Sequence, residues 1–250
     1  MQAMNTSTGA MTEFFRAGGA RLALFGALAF GAPLAAQAQA QTQAPDDADS
    51  AVFRTGLGIT NLKFTDRSAS TSTHTFGIVD FGASKSFGGL FLGFDTELPF
   101  NQGGTATNNE LVQTEVADFT LGYTLFNRLS AFTGWHYARY DFWRSGNLFS
   151  GQVDKGPYLG LGYAFSIGKT SQLSASLAYG NFNSDTGAGT GKSTGTSAAL
   201  TWSSDFRHGL GYYAKLRLLN YNFELDPGVV AVGGRDVKKS ITTLAVGVVY

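Results

Sequence analysis

The segment Leu90-Phe91-Leu92-Gly93-Phe94-Asp95-Thr96-Glu97-Leu98 decides the fold. Leu90, Leu92, Phe94, Thr96 and Leu98 share one parity, while Phe91, Gly93, Asp95 and Glu97 share the other. A period of two belongs to an extended strand, whose successive side chains point to opposite faces. One face is greasy and the other carries two acids. Ala117, Phe119, Leu121, Tyr123 and Leu125 alternate in the same way with Asp118, Thr120, Gly122 and Thr124, as do Leu159, Leu161, Tyr163, Phe165 and Ile167 with Gly160, Gly162, Ala164 and Ser166.

Followed outward from this segment, the alternation marks about ten strands, near 51–60, 74–85, 89–98, 113–126, 128–142, 157–167, 171–182, 196–204, 209–222 and 239–250; eight or twelve also fit the pattern. Short links near Ser86-Phe87-Gly88, Phe126-Asn127-Arg128, Gly168-Lys169-Thr170 and Asp205 to His208 alternate with long polar ones near 61–73, 99–112, 143–156, 183–195 and 223–238. Short turns at one end and long loops at the other are the layout of a transmembrane antiparallel up-and-down β-barrel. A soluble sandwich would need bulk on its inner face and Lys and Glu outside. The second face here holds Gly, Ser, Thr, Ala and a few charges, so the apolar face is read as facing lipid. Aromatic residues support this: Trp135, Tyr137, Tyr140, Phe142 and Trp143 crowd one strand end, and Tyr123, Phe126, Tyr163 and Phe165 lie near short turns, as interfacial girdles do.

Composition agrees. Charged residues are 14 %, against roughly 25 % in soluble domains, and no apolar run beyond the N-terminal region reaches the roughly 18 to 20 residues of a membrane helix. Lys plus Arg and Asp plus Glu are 18 each, which disfavours nucleic acid as a partner. The absence of Cys excludes disulfides, thiolate metal sites and Cys nucleophiles.

At the N-terminus, Arg16 and Arg21 precede the apolar stretch Leu22 to Phe30, followed by Ala36-Gln37-Ala38 and Ala38-Gln39-Ala40. Charged, apolar and small residues in that order read as a secretory signal. The expected organisation is a cleaved leader over 1–40, with Met11 a candidate start, a polar spacer over 41–50 and one barrel over 51–250.

The last strand, Thr242, Leu244, Val246, Val248 and Tyr250, resembles the C-terminal aromatic signature of small Gram-negative outer-membrane β-barrel proteins, the broad group of opacity-type adhesins and OmpA-type membrane domains. The resemblance implies insertion by the barrel assembly machinery, with Leu244, Val246, Val248 and Tyr250 as its signal. It also implies outer-membrane lipid and lipopolysaccharide as surroundings. With an even strand number both termini are periplasmic and the long loops extracellular. It is a pattern and specifies no ligand.

Parity also sorts the charges. Arg54, Asp80, Asp95, Glu97, Asp118, His136, Lys215 and Arg217 all fall on the inward face. Folding about Phe87 and Gly88 sets Asp80 opposite Asp95, and folding about Asn127 sets Asp118 opposite His136. Isolated charges in a narrow barrel are costly, so these acids are expected to pair across the lumen with the bases. As a site, carboxylates with a His suit acid–base work of the kind done by outer-membrane omptin proteases, which also have ten strands. As structure, they form a plug. The plug is favoured, because the omptin type works near the outer rim and its adjacent acids and Asp-x-His pair are missing. His74 and His208 read as surface residues near strand ends.

Gly187 to Thr194 imitates a phosphate loop, but G-x-x-x-x-G-K-S needs Gly where Thr186 stands. Three scattered His make no close-spaced metal site. Neither cofactor nor catalytic residue is expected. The reading is a non-enzymatic outer-membrane barrel with long loops for surface interaction or envelope integrity; a narrow channel is the alternative, and a rim protease or lipid-modifying enzyme comes third.

Overall fold

The computed structural model describes residues 51–65, 71–104, 110–126, 128–144, 147–186, 189–207, 210–225 and 237–250. The expected leader and spacer lie outside the described residues, as does His208. Ten long strands form a closed antiparallel up-and-down barrel: β1 (Ala51–Thr65), β2 (Thr71–Phe87), β3 (Leu90–Pro99), β5 (Glu110–Phe126), β6 (Leu129–Arg144), β7 (Asn147–Ile167), β8 (Ser171–Asp185), β9 (Thr190–Arg207), β10 (Leu210–Leu225) and β11 (Val237–Val249). A two-residue strand, β4 (Gly103–Gly104), pairs with β5 beyond the end of β3. Strand β11 closes on β1, and Phe53 and Tyr250 exchange both backbone hydrogen bonds at 2.6 and 2.7 Å.

The ladder fixes the size of the barrel. Traced across every strand from Lys63 through Ser240, Asn220, Thr196, Tyr179, Leu159, Thr133, Leu121, Leu92 and Lys85, it returns to β1 at Ala51, a stagger of twelve positions. Ten strands with that stagger tilt by about 40° and enclose a backbone cylinder about 20 Å across, taking standard strand rise and spacing. Side chains can fill such a cylinder.

The outward face changes chemistry along each strand. On β1 it runs Phe53, Leu57, Ile59, then Asn61 and Lys63; on β10, Tyr212, Leu216, Leu218, then Asn220, Asn222 and Glu224; on β8, Leu177 and Tyr179, then Asn181 and Asn183. At this tilt the apolar row climbs about 15 Å on β1, from Phe53 to Ile59, and about 20 Å on β7, from Leu159 to Ile167, and the side chains at both ends extend this belt toward the roughly 25 Å of a lipid-facing band. Above it stands a polar collar. Every long strand except β3 has 13 or more residues, whereas roughly 9 to 11 span a bilayer.

That length corrects the loop expectation. Most of 61–73, 143–156 and 183–195 is strand: the β1–β2 ladder runs to Thr65 opposite Thr71, β6–β7 to Arg144 opposite Asn147, and β8–β9 to Asp185 opposite Thr190. A largely polar outward row, over an inward row that mixes Leu62 and Phe64 with Gln152, Asp154, Ser184 and Ser193, lacks the apolar-outward alternation that marks a strand half in lipid, yet hydrogen-bonded pairing continues above the membrane because it needs no lipid-facing row. The connection between β2 and β3 corrects a register. Gly88 and Gly89, at φ 53° and 97°, make a two-residue turn of the kind that needs left-handed backbone at both positions. Asp80 therefore lies opposite Glu97, not Asp95, a slip of two that keeps both acids inward.

The interior is also bulkier than parity suggested. Leu62, Phe76, Ile78, Val112, Val116, Ala138, Tyr140, Phe182, Leu219, Tyr221 and Ile241 form one buried cluster in the upper lumen, with Phe64 and Phe142 packed on it. Tyr140 and Phe142 thus face inward and are no part of an aromatic girdle, unlike exposed Trp135. His74, expected at the surface, is buried edge-on to Phe64 at 6.2 Å.

Candidate functional site

The barrel brings charged side chains from β1, β2, β3, β5, β6 and β10 into one layer at mid-lumen. Lys215 lies at its centre, 1 % exposed, and its Nζ donates to Asp80, to Asp95 at 3.2 Å and to Glu97 at 3.0 Å. Arg54 bonds Asp80 through Nε at 3.3 Å and Asp95 through its terminal nitrogen. Arg217 lies 3.3 Å from Glu97, 3.7 Å from Asp95 and in contact with Asp118. His136 Nδ1 is 2.6 Å from Asp118, its cross-strand neighbour, and His136 Nε2 is 2.9 Å from the Tyr221 hydroxyl. Neutral donors complete the shell: Tyr213 to Asp80 at 2.6 Å and Thr243 to Glu97 at 3.0 Å. All eight sequence-assigned lumen residues belong to this one network.

Its charge nearly balances within the barrel. Arg54, Lys215 and Arg217 face Asp80, Asp95, Glu97 and Asp118, and His136 is the fourth basic group. Asp80, Asp95 and Glu97 present oxygens close enough for a metal ion, but the Lys215 ammonium occupies the point where they converge. Acid–base chemistry needs a group with an accessible proton and a substrate beside it. Here the carboxylates spend their oxygens on Arg, Lys, Tyr and Thr, and in Asp118 on His136 as well.

A second couple lies nearer the end opposite the short turns. Lys239 donates to Asp154 at 2.6 Å, Gln152 donates to the same carboxylate at 2.8 Å, and the Lys239 ammonium stands 4.1 Å above the Tyr140 ring. Sequence reading missed this pair because Asp154 fell in a segment taken as loop and Lys239 at the first residue of a strand. The available signal was parity: Asp154 shares a face with Gly156, Tyr158 and Gly160, and Lys239 with Ile241, Thr243 and Ala245.

Opposite the ion network, the inner faces of β8 and β9 carry only small side chains over the same height, namely Ser176, Ala178 and Gly180 facing Ser197 and Gly195. They leave a cavity of about 70 Å³ against Asp118, His136, Arg217 and Tyr158, room for several waters. Phe132 bounds it on one side, and the rings of His136, Phe182 and Tyr221, with centroids 4.8 to 5.7 Å apart, on another.

No family model matches the chain, and no curated protein sequence matches it. Among solved structures, the chain is similar to the outer-membrane protease OmpT from Escherichia coli, with a TM-score of 0.56 and 13 % identity over 84 % of this chain and 99 % of that one. The translocator domain of the autotransporter NalP from Neisseria meningitidis follows more distantly, at TM-score 0.43 and 8 % identity over 80 % of this chain and 90 % of that one. At such identity the OmpT likeness establishes the fold alone: the chain has the closed up-and-down β-barrel architecture of that outer-membrane protein, and its apolar outer belt agrees with it.

Proposed function

We propose that this protein is a non-enzymatic outer-membrane barrel whose lumen is a structural plug and whose working surface is the set of tall hairpins above the membrane, in surface interaction or envelope integrity. The observation that carries the reading is the mid-lumen network, whose carboxylates and cations are matched with one another and almost fully removed from solvent. A conducting pore needs charges that line water, and a protease needs them at a substrate-accessible rim. The Asp118–His136 pair lies deep, beneath a buried apolar cluster.

Delivery belongs to the same proposal. A leader over 1–40 is removed, Leu244, Val246, Val248 and Tyr250 on the outward row of β11 guide assembly by the barrel assembly machinery, and the hairpin ends face outside with both termini periplasmic. The polarity change from belt to collar supports that orientation.

Planar-bilayer recording tests the plug. Purified full-length protein is expected to give no stable conductance steps. Steps whose size changes in Asp95→Asn or Lys215→Gln would replace the plug with a narrow channel, which the small side chains on β8 and β9 favour as the second reading.

A further inference from the structure

Above the belt the collar is not polar all round. On β1, β2 and β8 to β11 the outward row goes on with Gly, Asn, Thr, Ser, Lys, Asp and Glu only. On β6 and β7 it goes on with Tyr137, Trp143 and Val153, all half-buried. Trp143 is eight residues above Trp135, an exposed residue of the belt, hence about 20 Å higher at the tilt of the strands, whereas the headgroup layer is roughly 6 Å deep. Lipid therefore does not cover this part of the wall. Because the wall faces sideways, only a neighbour standing beside the barrel in the same membrane reaches it.

The charges of the sector select that neighbour. Arg139 bonds Asp141 at 2.9 Å and lies opposite Glu115, so one cation meets two acids and one negative charge is left over. On the other flank of β6, Lys155 lies opposite Tyr137 and Asn183 and has no ion-pair partner among the described residues. Lys192, by contrast, is matched within the chain by Glu224 across the strand pair.

Glu115 and Lys155 stand at one height. The ladder from Glu115 through Arg139 reaches Val153, and a stagger of twelve over ten strands lifts it by about 1.2 residues at each step. Lys155 is two residues below Val153, so its level matches that of Glu115 to about 1 Å. Tyr137 and Arg139 lie between them on β6. A two-fold axis parallel to the barrel axis and in front of these two side chains turns a second copy so that equal heights meet and the flanks exchange. Glu115 then faces Lys155 of the partner subunit, and Lys155 faces Glu115 of the partner subunit. Such a contact uses one patch twice and closes on itself.

We propose that the wall of β5, β6 and β7 above the belt is a dimer interface, occupied by a second copy of this chain standing side by side with the first in the membrane.

Native mass spectrometry of the full-length protein in detergent is expected to show a dimer. Glu115→Lys alone and Lys155→Glu alone are each expected to raise the dimer dissociation constant about tenfold or more. Mixed with each other, the two variants are expected to form a heterodimer of wild-type strength, because every contact then joins an acid to a base again. A wild type that stays monomeric, or a heterodimer no stronger than the two variant homodimers, overturns the proposal. The place of the contact is read separately in this cysteine-free chain. Tyr137→Cys, beside the axis, is expected to give a disulfide-linked dimer on mild oxidation of intact membranes. Asn220→Cys, at a similar height on the far side of the barrel, is expected to give none. Linkage through Asn220→Cys and not through Tyr137→Cys overturns the interface. Linkage of the Tyr137→Cys chain to a different protein, with none to itself, overturns the second copy as its occupant.

Discussion

Lys215 is the side chain on which the lumen depends most. Its ammonium meets Asp80, Asp95 and Glu97 together, and each of those acids is almost wholly out of water. Lys215→Met keeps the volume but leaves three carboxylates to repel one another, so unfolding by urea is expected to be easier by about 3 to 5 kcal/mol. Combining Lys215→Met with Asp80→Asn is expected to recover part of that loss in a double-mutant cycle. Independent, additive losses would show that the two side chains do not act through one another. The eight residues of this network were legible from parity alone, because alternation assigns a face whether or not the partner strand is known. Which carboxylate meets which base was not legible, since Asp80 to Lys215 spans 135 residues and depends on how the sheet closes.

At the scale of the element, each long strand except β3 is two segments in series: a lower one with an apolar outward row and an upper one with a largely polar outward row over an interior that mixes apolar residues such as Leu62, Tyr140 and Phe182 with polar ones such as Asp154 and Ser193. The boundary on β10 and β11 makes a depth test. Leu244→Arg, in the belt, is expected to cost about 2 to 4 kcal/mol in folding into lipid bilayers, and Asn222→Arg, in the collar, about 0 to 1. Equal costs at the two sites would mean that the belt does not mark the hydrocarbon. The lower segments were readable because lipid imposes alternation. The upper ones read as loops: with water outside and a packed interior of mixed polarity, their outward and inward residues did not separate. The same effect hid Asp154, His74 and the inward turn of Tyr140.

At the scale of the molecule, the lumen is asymmetric. Charged and aromatic side chains fill the half lined by β1, β2, β3, β5, β10 and β11, while Ser, Ala and Gly line β8 and β9. Beside the resulting cavity stand the clustered rings of His136, Phe182 and Tyr221, with His136 stacked on Tyr221 and Phe182 edge-on to Tyr221. Replacing Phe182 and Tyr221 together by Ala is expected to open a water path along β8 and β9, seen as new conductance steps absent from the wild type. Continued silence in a variant that still folds would place the closure in the ion network alone.

The sequence by itself determined the all-β class, the approximate strand number, the face of nearly every membrane residue and the membership of the lumen network. All of these follow from a period of two read against lipid, which is a local property of the chain. Tertiary structure decided the stagger of twelve, the register around Gly88 and Gly89, the extension of the hairpins above the membrane and the pairing of Lys239 with Asp154. It also set Lys63 opposite Ser240, 177 residues away in the chain. These depend on the closure of β11 onto β1 and on the diameter it imposes, which no local pattern contains.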